Sequence, residues 1–195
     1  MADSKISNLN AVTTLASGDV VPIVNNSVTK KATASQLSSY SQLGWARYND
    51  SQYTSSNKLS LVNGVQVTLP NNANTITRSP EGYDFFNAVT QKITAESEND
   101  TYVVTVVFKA SSANTNNTHL DFQLVNGGVT GYERIHKSLA FYKGNNTEQN
   151  FHEVFQFYAD SDFVANGATL KIEFVGGTAN VWDIIFFIQR TQRYF

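Results

Sequence analysis

The chain contains no cysteine. That removes disulfides and thiolate nucleophiles together, and it leaves a structural zinc site without its usual ligands. The first ten residues hold no apolar run of the kind a secretory signal needs. No apolar stretch elsewhere approaches membrane-spanning length. Several Asn-X-Ser/Thr triplets occur, such as Asn99-Asp100-Thr101. Without a secretory signal they are read as chance in a chain rich in Asn and Thr.

Charge is also scarce. Asp, Glu, Lys and Arg make up 15% of the sequence, against the usual quarter. The net charge is -2, so no basic field exists for nucleic acid or an anionic membrane. Neither partner is expected. Asn, Ser, Thr and Gln supply the polar surface instead, a mix common in β-rich proteins with many turns. Hydrophobic residues at 41% and aromatics at 12% suffice for one sizeable core in 195 residues.

Helical spacing is nearly missing. The one short candidate is Ala34 to Leu43, where Leu37, Tyr40 and Leu43 recur near helical spacing. Elsewhere the period is two. Tyr102, Val104, Val106 and Phe108 share a face, as do Leu120, Phe122 and Leu124, and Leu170, Ile172 and Phe174. Turn chemistry separates these runs, and Asn63-Gly64 and Asn166-Gly167 are the best tight-hairpin candidates. Roughly eight to ten short strands predict an all-β fold, an antiparallel two-sheet jelly-roll sandwich.

The last strand differs from the others. Within Val181 to Arg190, strict alternation places Trp182, Ile184, Phe186 and Ile188 on one face. Val181, Ile185 and Phe187 fall on the other, broken only by Asp183. A strand apolar on both faces must be covered on both. One face meets the core, and a second copy of the chain is the simplest cover for the other. The expectation is a homotrimer with Trp182, Ile184, Phe186 and Ile188 at its interface.

Residues 1–42 hold too little apolar material for a core of their own. Their short apolar run around Pro22 has no obvious local partner, so the segment is expected to be poorly ordered, or extended across other chains, when off the particle. A boundary near Leu43-Gly44 leaves residues 43–195 as the sandwich.

Sites of chemistry are few. His119, His136 and His152 lack metal-ligand spacing, and no metal or other cofactor is expected. Glu96 to Asp100 reads as a solvated acidic turn before a strand. Asp160-Ser161-Asp162 is the better calcium candidate, as a short Asp-x-Asp turn on a sandwich loop. Catalytic residues are not expected, since no phosphate loop, nucleophile elbow or convincing acid pair is visible. Trp45, Tyr48, Tyr53, Tyr83 and Tyr132 lie in or near turns, where rings serve sugar stacking or subunit packing. Tyr132-Glu133-Arg134, after the Gly127-Gly128 turn, is the preferred exposed binding loop; pairing at a rim is the plainer reading of its charges.

Lys5-Ile6-Ser7-Asn8-Leu9, then Gly18-Asp19-Val20-Val21-Pro22-Ile23-Val24, then Val28-Thr29-Lys30-Lys31-Ala32-Thr33, resembles the N-terminal attachment segment of tailed-bacteriophage fibre proteins. Asn8 stands where an acidic residue is common there. The remainder is similar to the trimeric jelly-roll tip, of TNF-like fold, on phage fibres and capsid appendages. Gly44 to Asp50, Tyr53-Thr54, Pro80-Glu81-Gly82 and Asn166 to Ile172 carry that likeness. The resemblance implies docking on a phage capsid or tail protein through Ile6, Leu9, Val21, Pro22, Ile23 and Val24, with a threefold knob beyond.

Three function classes follow. The favoured one is a non-enzymatic virion appendage, a fibre, head fibre or decoration protein, whose knob contacts host-surface polysaccharide. Assembly in the host cytoplasm and release by lysis fit a chain without a secretory signal. No repeat supplies a shaft, which suits a capsid-mounted or tail-tip position. The alternatives are a carbohydrate-binding module of a secreted bacterial protein, capsid decoration without receptor binding, and a depolymerase.

Overall fold

A computed structural model describes residues 18–25, 28–33, 43–79, 84–114, 118–128 and 133–193. The chain divides into two compact units, Met1–Gln42 and Leu43–Phe195. In the first, β1 (Val20–Asn25) and β2 (Val28–Thr33) pair antiparallel, from Val20 opposite Thr33 to Asn25 opposite Val28. The expectation that the Pro22 strand lacks a local partner is therefore corrected, since Pro22 lies opposite Lys31. In a two-stranded ribbon each strand is an edge, where proline is tolerated. Such a ribbon is marginal by itself. The expected helix, Ala34 to Leu43, lies outside the described residues except for Leu43, which is not helical.

The second unit is an all-β sandwich of two six-stranded sheets. One sheet runs in the order β12 (Gln149–Tyr158), β9 (Thr101–Ser112), β14 (Thr178–Gln192), β3 (Trp45–Asn49), β6 (Thr75–Ser79), with β4 (Leu59–Val62) also paired to β14. The other runs β11 (Glu133–Ala140), β10 (His119–Asn126), β13 (Ala168–Val175), β8 (Lys92–Ile93), β7 (Phe86–Asn87), with β5 (Val67–Thr68) on β13. Chain connections cross repeatedly between sheets: β9 to β10, β11 to β12 and β13 to β14 all change sheet. The expected antiparallel jelly roll is what the chain forms.

Its core comes from the period-two runs. Tyr102, Val104, Val106 and Phe108 point inward from one sheet, and Leu120, Phe122, Leu124, Leu170, Ile172 and Phe174 from the other, all buried. Rings interlock between the layers, with Phe122 and Phe155 centroids 5.9 Å apart and Phe86 edge-on to Phe186 at 5.2 Å. Offset and edge-on geometry adds to the area these rings bury.

Neither hairpin expectation holds. Asn63-Gly64 makes a turn, with Gly64 at φ 69°, but it carries the chain from one sheet to the other rather than folding a strand back. Asn166-Gly167 ends α1 (Ser161–Asn166), where Gly167 caps the helix at φ 65°. A Cβ at Gly167 would lie 2.7 Å from the Ile93 carbonyl, so glycine is required by space as well as by φ.

The last strand is the main correction. Trp182 pairs with Lys109 and Ile185 with Val107, so two residues of β14 oppose one of β9. This is a β-bulge, and Asp183 within it has φ 54°. The extra residue shifts the parity of the strand. Val181 joins Ile184, Phe186 and Ile188 on the inner face, where all four are fully buried in the core of a single chain. Trp182 joins Ile185 and Phe187 on the outer face. Ile184, Phe186 and Ile188 are therefore not available to a partner subunit, and the grouping of Trp182 with them is wrong.

Candidate functional site

The two outer sheet faces differ in chemistry. On the β10–β13 sheet, cross-strand register aligns Asp121 and Gln123 with Glu173 and Lys171 on one side and with Ser138 and His136 on the other. That face is polar. On the β9–β14 sheet the outward residues include Val103 and Val107 of β9, Ile185 and Phe187 of β14, and Trp45 of β3. Trp45 stacks on Phe187 with centroids 5.6 Å apart. Val154 of β12 extends the patch toward the sheet edge and is 45% exposed. Trp182 lies on the same face, buried beneath the Lys58 ammonium, which sits 3.9 Å from the ring centroid.

Tyr132 lies outside the described residues. Glu133 and Arg134 begin β11 rather than occupying a loop. Glu133 is exposed and pairs with His136 at 2.9 Å. The Arg134 side chain is only 6% exposed, and its guanidinium pairs with Asp160. It also donates to Asn126 Oδ1 and, at 3.1 Å, to the Tyr158 carbonyl, and it stacks over Phe163 at 5.3 Å. An arginine committed to so many internal partners ties the two sheet edges together. Its role is structural, not that of a free ligand-binding cation. Around it, Glu133, Arg134, Ile135, Gln156, Phe157 and Tyr158 line an open groove of about 300 Å³ between edge strands β11 and β12. Tyr158 is 59% exposed at its rim. Sequence reading missed Tyr158, because it ends an aromatic-rich strand and not a loop. Lys137 closes the edges further along, donating to Glu153 at 3.2 Å and to the Val154 carbonyl at 2.8 Å.

The calcium candidate is explained differently. Asp160 is the N-cap of α1, accepting from the Phe163 N–H at 2.9 Å, and it also holds Arg134. Asp162 accepts from the side-chain amides of Asn126 at 2.6 Å and Asn166 at 2.7 Å. Carboxylate oxygens already met by N–H donors offer no cation cradle. Among the described residues no group of His, Asp and Glu side chains is arranged to hold a metal. The histidines are partly drawn together all the same. His119 and His136 flank Asp121 at 3.4 and 3.3 Å, and the Ser138 hydroxyl donates to it at 2.6 Å. Burial alone would raise the Asp121 carboxyl, but hydrogen bonds from Ser138 and His136 and the charges of both histidines outweigh it and hold it below the usual value.

Of the attachment residues, Val21, Pro22, Ile23 and Val24 lie on β1, while Ile6 and Leu9 lie outside the described residues. Among the loop aromatics, Tyr48 is fully buried and donates to Asp84 at 2.8 Å, and Tyr53 packs against the core. Tyr83 lies outside the described residues.

Strand register also gives the sandwich two distinct ends. Leu43 and Gly44, where the chain enters this unit, accept hydrogen bonds from Arg190 at the end of β14. Thr101 pairs with both Gln192 and Tyr158, which puts the Arg134–Asp160 groove at this proximal end. The distal end carries the 141–148 and 176–177 connections.

No family model matches the sequence, and no curated protein matches it. Among solved structures the chain is similar to Eiger TNF from S. frugiperda, at 8% identity and TM-score 0.50, covering 79% of this chain and 96% of that one. It is also similar to PRD1 vertex protein P5, at 8% identity and TM-score 0.43, covering 97% of this chain and 91% of that one. A CBM4 structure aligns at 12% identity and TM-score 0.32, covering 72% of this chain and 89% of that one. At such identities the likeness concerns the fold alone.

Proposed function

We propose that this protein is a non-enzymatic structural appendage of a tailed-phage virion. It is a homotrimer that docks on a capsid or tail protein through residues 1–42 and presents the jelly-roll knob to host-surface glycan. One observation carries the self-association at the centre of this reading. The outer face of the β9–β14 sheet places Val103, Val107, Ile185, Phe187 and Trp45 together, whereas the opposite sheet is polar outside. Thr105, Gln189 and Arg47 stand between them in the register, and large apolar side chains on such an outward face gain from an association that buries them. Cyclic symmetry lets three copies of one face close on themselves without leaving a sticky edge. The role on the virion rests on the resemblance of residues 5–33 to phage attachment segments.

Light scattering of the full chain in dilute solution tests this. The expected mass is three times the 21.6 kDa of one chain. A clean monomer at micromolar concentration overturns the reading.

A further inference from the structure

We propose that the knob recognises its glycan with the loop between β11 and β12, where Tyr142 stacks on a sugar ring and Lys143 binds a carboxylate on it. The ligand class is an acidic, uronate-bearing polysaccharide. This inference rests on the glycan-contact part of the proposed function and gives that contact a place and a chemistry.

Position comes first. His119 of β10 pairs with Ala140 of β11, and Gln149 of β12 pairs with Ala110 of β9. The loop between them therefore stands at the distal end, away from Leu43, where the chain enters the sandwich. The groove beside Glu133 and Arg134 stands at the proximal end, and its arginine is already engaged.

The loop is also built to hold its shape. Phe141 anchors it, buried against Phe151 at 5.4 Å and Phe174 at 5.5 Å. The next residue, Tyr142, is 86% exposed. The buried Gln149 side chain accepts from the Tyr142 N–H at 2.8 Å and donates to the Lys143 carbonyl at 3.2 Å, clamping both residues. Asn145 and Asn146 donate their N–H groups to Ala113 and Ser112 at 3.1 and 2.9 Å. Both adopt left-handed conformations, φ 55° and 58°, which asparagine tolerates better than most residues. A recognition loop fixed before binding loses little entropy when the ligand arrives.

The side chains presented then select the ligand. A tyrosine ring held out in water leaves apolar area unsatisfied that a sugar's apolar face can cover. Lys143 is exposed and forms no ion pair among the described residues, while the loop's acid, Glu148, is engaged with Lys109 at 3.2 Å. The loop thus offers one unneutralised cation beside the ring. The exposed amides of Asn145 and Asn146 suit sugar hydroxyls. Ring, cation and amides together fit a hexuronate better than a neutral hexose.

Affinity electrophoresis of the full chain through gels containing polygalacturonate, hyaluronan or dextran tests the proposal. Expected results are retardation by the two uronate polymers, weakened by salt, and none by dextran. Tyr142→Ala should cost tenfold or more in affinity, Tyr142→Phe should retain most of it, and Lys143→Ala should weaken binding and flatten its salt dependence. Melting temperatures should match the parent, since both side chains are exposed. Retardation by polygalacturonate or hyaluronan that Tyr142→Ala leaves unchanged overturns the loop but not glycan contact. Dextran binding alone overturns the uronate class. Binding to none of the three overturns the proposal, while the trimer mass and particle docking still decide the appendage reading.

Discussion

Arg190 and Asp100 form an ion pair at 3.3 Å in which neither side chain has any exposed surface. The same guanidinium reaches Glu96 at 2.6 Å and the Leu43 carbonyl at 3.1 Å, and it lies 5.8 Å from the Phe85 ring centre. Tyr102 donates to Asp100 at 3.2 Å, and burial raises its hydroxyl well above the usual phenol range, so it remains a donor. This cluster fastens the first residues of the sandwich to the end of its last strand.

A buried pair is costly to break but not always to replace. Asp100→Ala should destabilise the fold by about 3–5 kcal/mol, because it leaves the Arg190 charge buried without that partner. Arg190→Met combined with Asp100→Leu should recover a large part of that loss. A double-mutant cycle by chemical denaturation reads the coupling; additive single losses would contradict it.

The bulge in β14 makes neighbouring residues answer differently. Phe186 is fully buried in the core of one chain, so Phe186→Ala should cost about 3–5 kcal/mol. Phe187 stacks with Trp45 on the outer face. Under the proposed trimer, Phe187→Glu should leave a folded monomer. Sedimentation and circular dichroism on the same samples separate the two effects.

Asp183 occupies a left-handed conformation, φ 54°, and pairs with Lys109 at 3.3 Å. A β-branched side chain resists that φ. Asp183→Val should cost about 1–2 kcal/mol, with Asp183→Gly clearly milder because it keeps the backbone free. Equal losses in thermal melts would point to the Lys109 contact rather than to the backbone.

Asp121 gives the protein an acid limit. Its carboxyl titrates below its ordinary 3.8 in the folded chain, so the stability it contributes is fully present above that pH. The contribution is lost as pH falls through the lower folded value. Asp121→Asn should therefore be less stable than the parent at pH 7, and the gap should close as pH falls below 3.8. Urea denaturation at several pH values measures it; a gap that widens in acid would reverse the sign.

The sequence alone determined the sandwich. Alternation along Thr101–Ser112, His119–Asn126 and Ala168–Val175 is local, because successive side chains on any strand point to opposite faces. Turn residues were equally legible at Asn63-Gly64 and Asn166-Gly167, yet their chemistry says only that the chain bends. Which sheet receives the next strand depends on pairing with β13 and β14, more than a hundred residues from Gly64. The inner face of the last strand was decided at Asp183, where an added residue reverses the parity of everything before it. Nothing in Val181 to Arg190 marks that position except a single polar residue. Arg134 looked free beside Glu133 because Asp160 and Asn126, which hold it, meet it only when the sheets close. Likewise Asp160-Ser161-Asp162 carries the signature of a helix cap as well as of a cation turn. Folding chose the cap by bringing hydrogen-bond donors to both carboxylates. Period and turn chemistry act between neighbours and can be read directly; partners distant in sequence are chosen by packing, and only the tertiary structure records them.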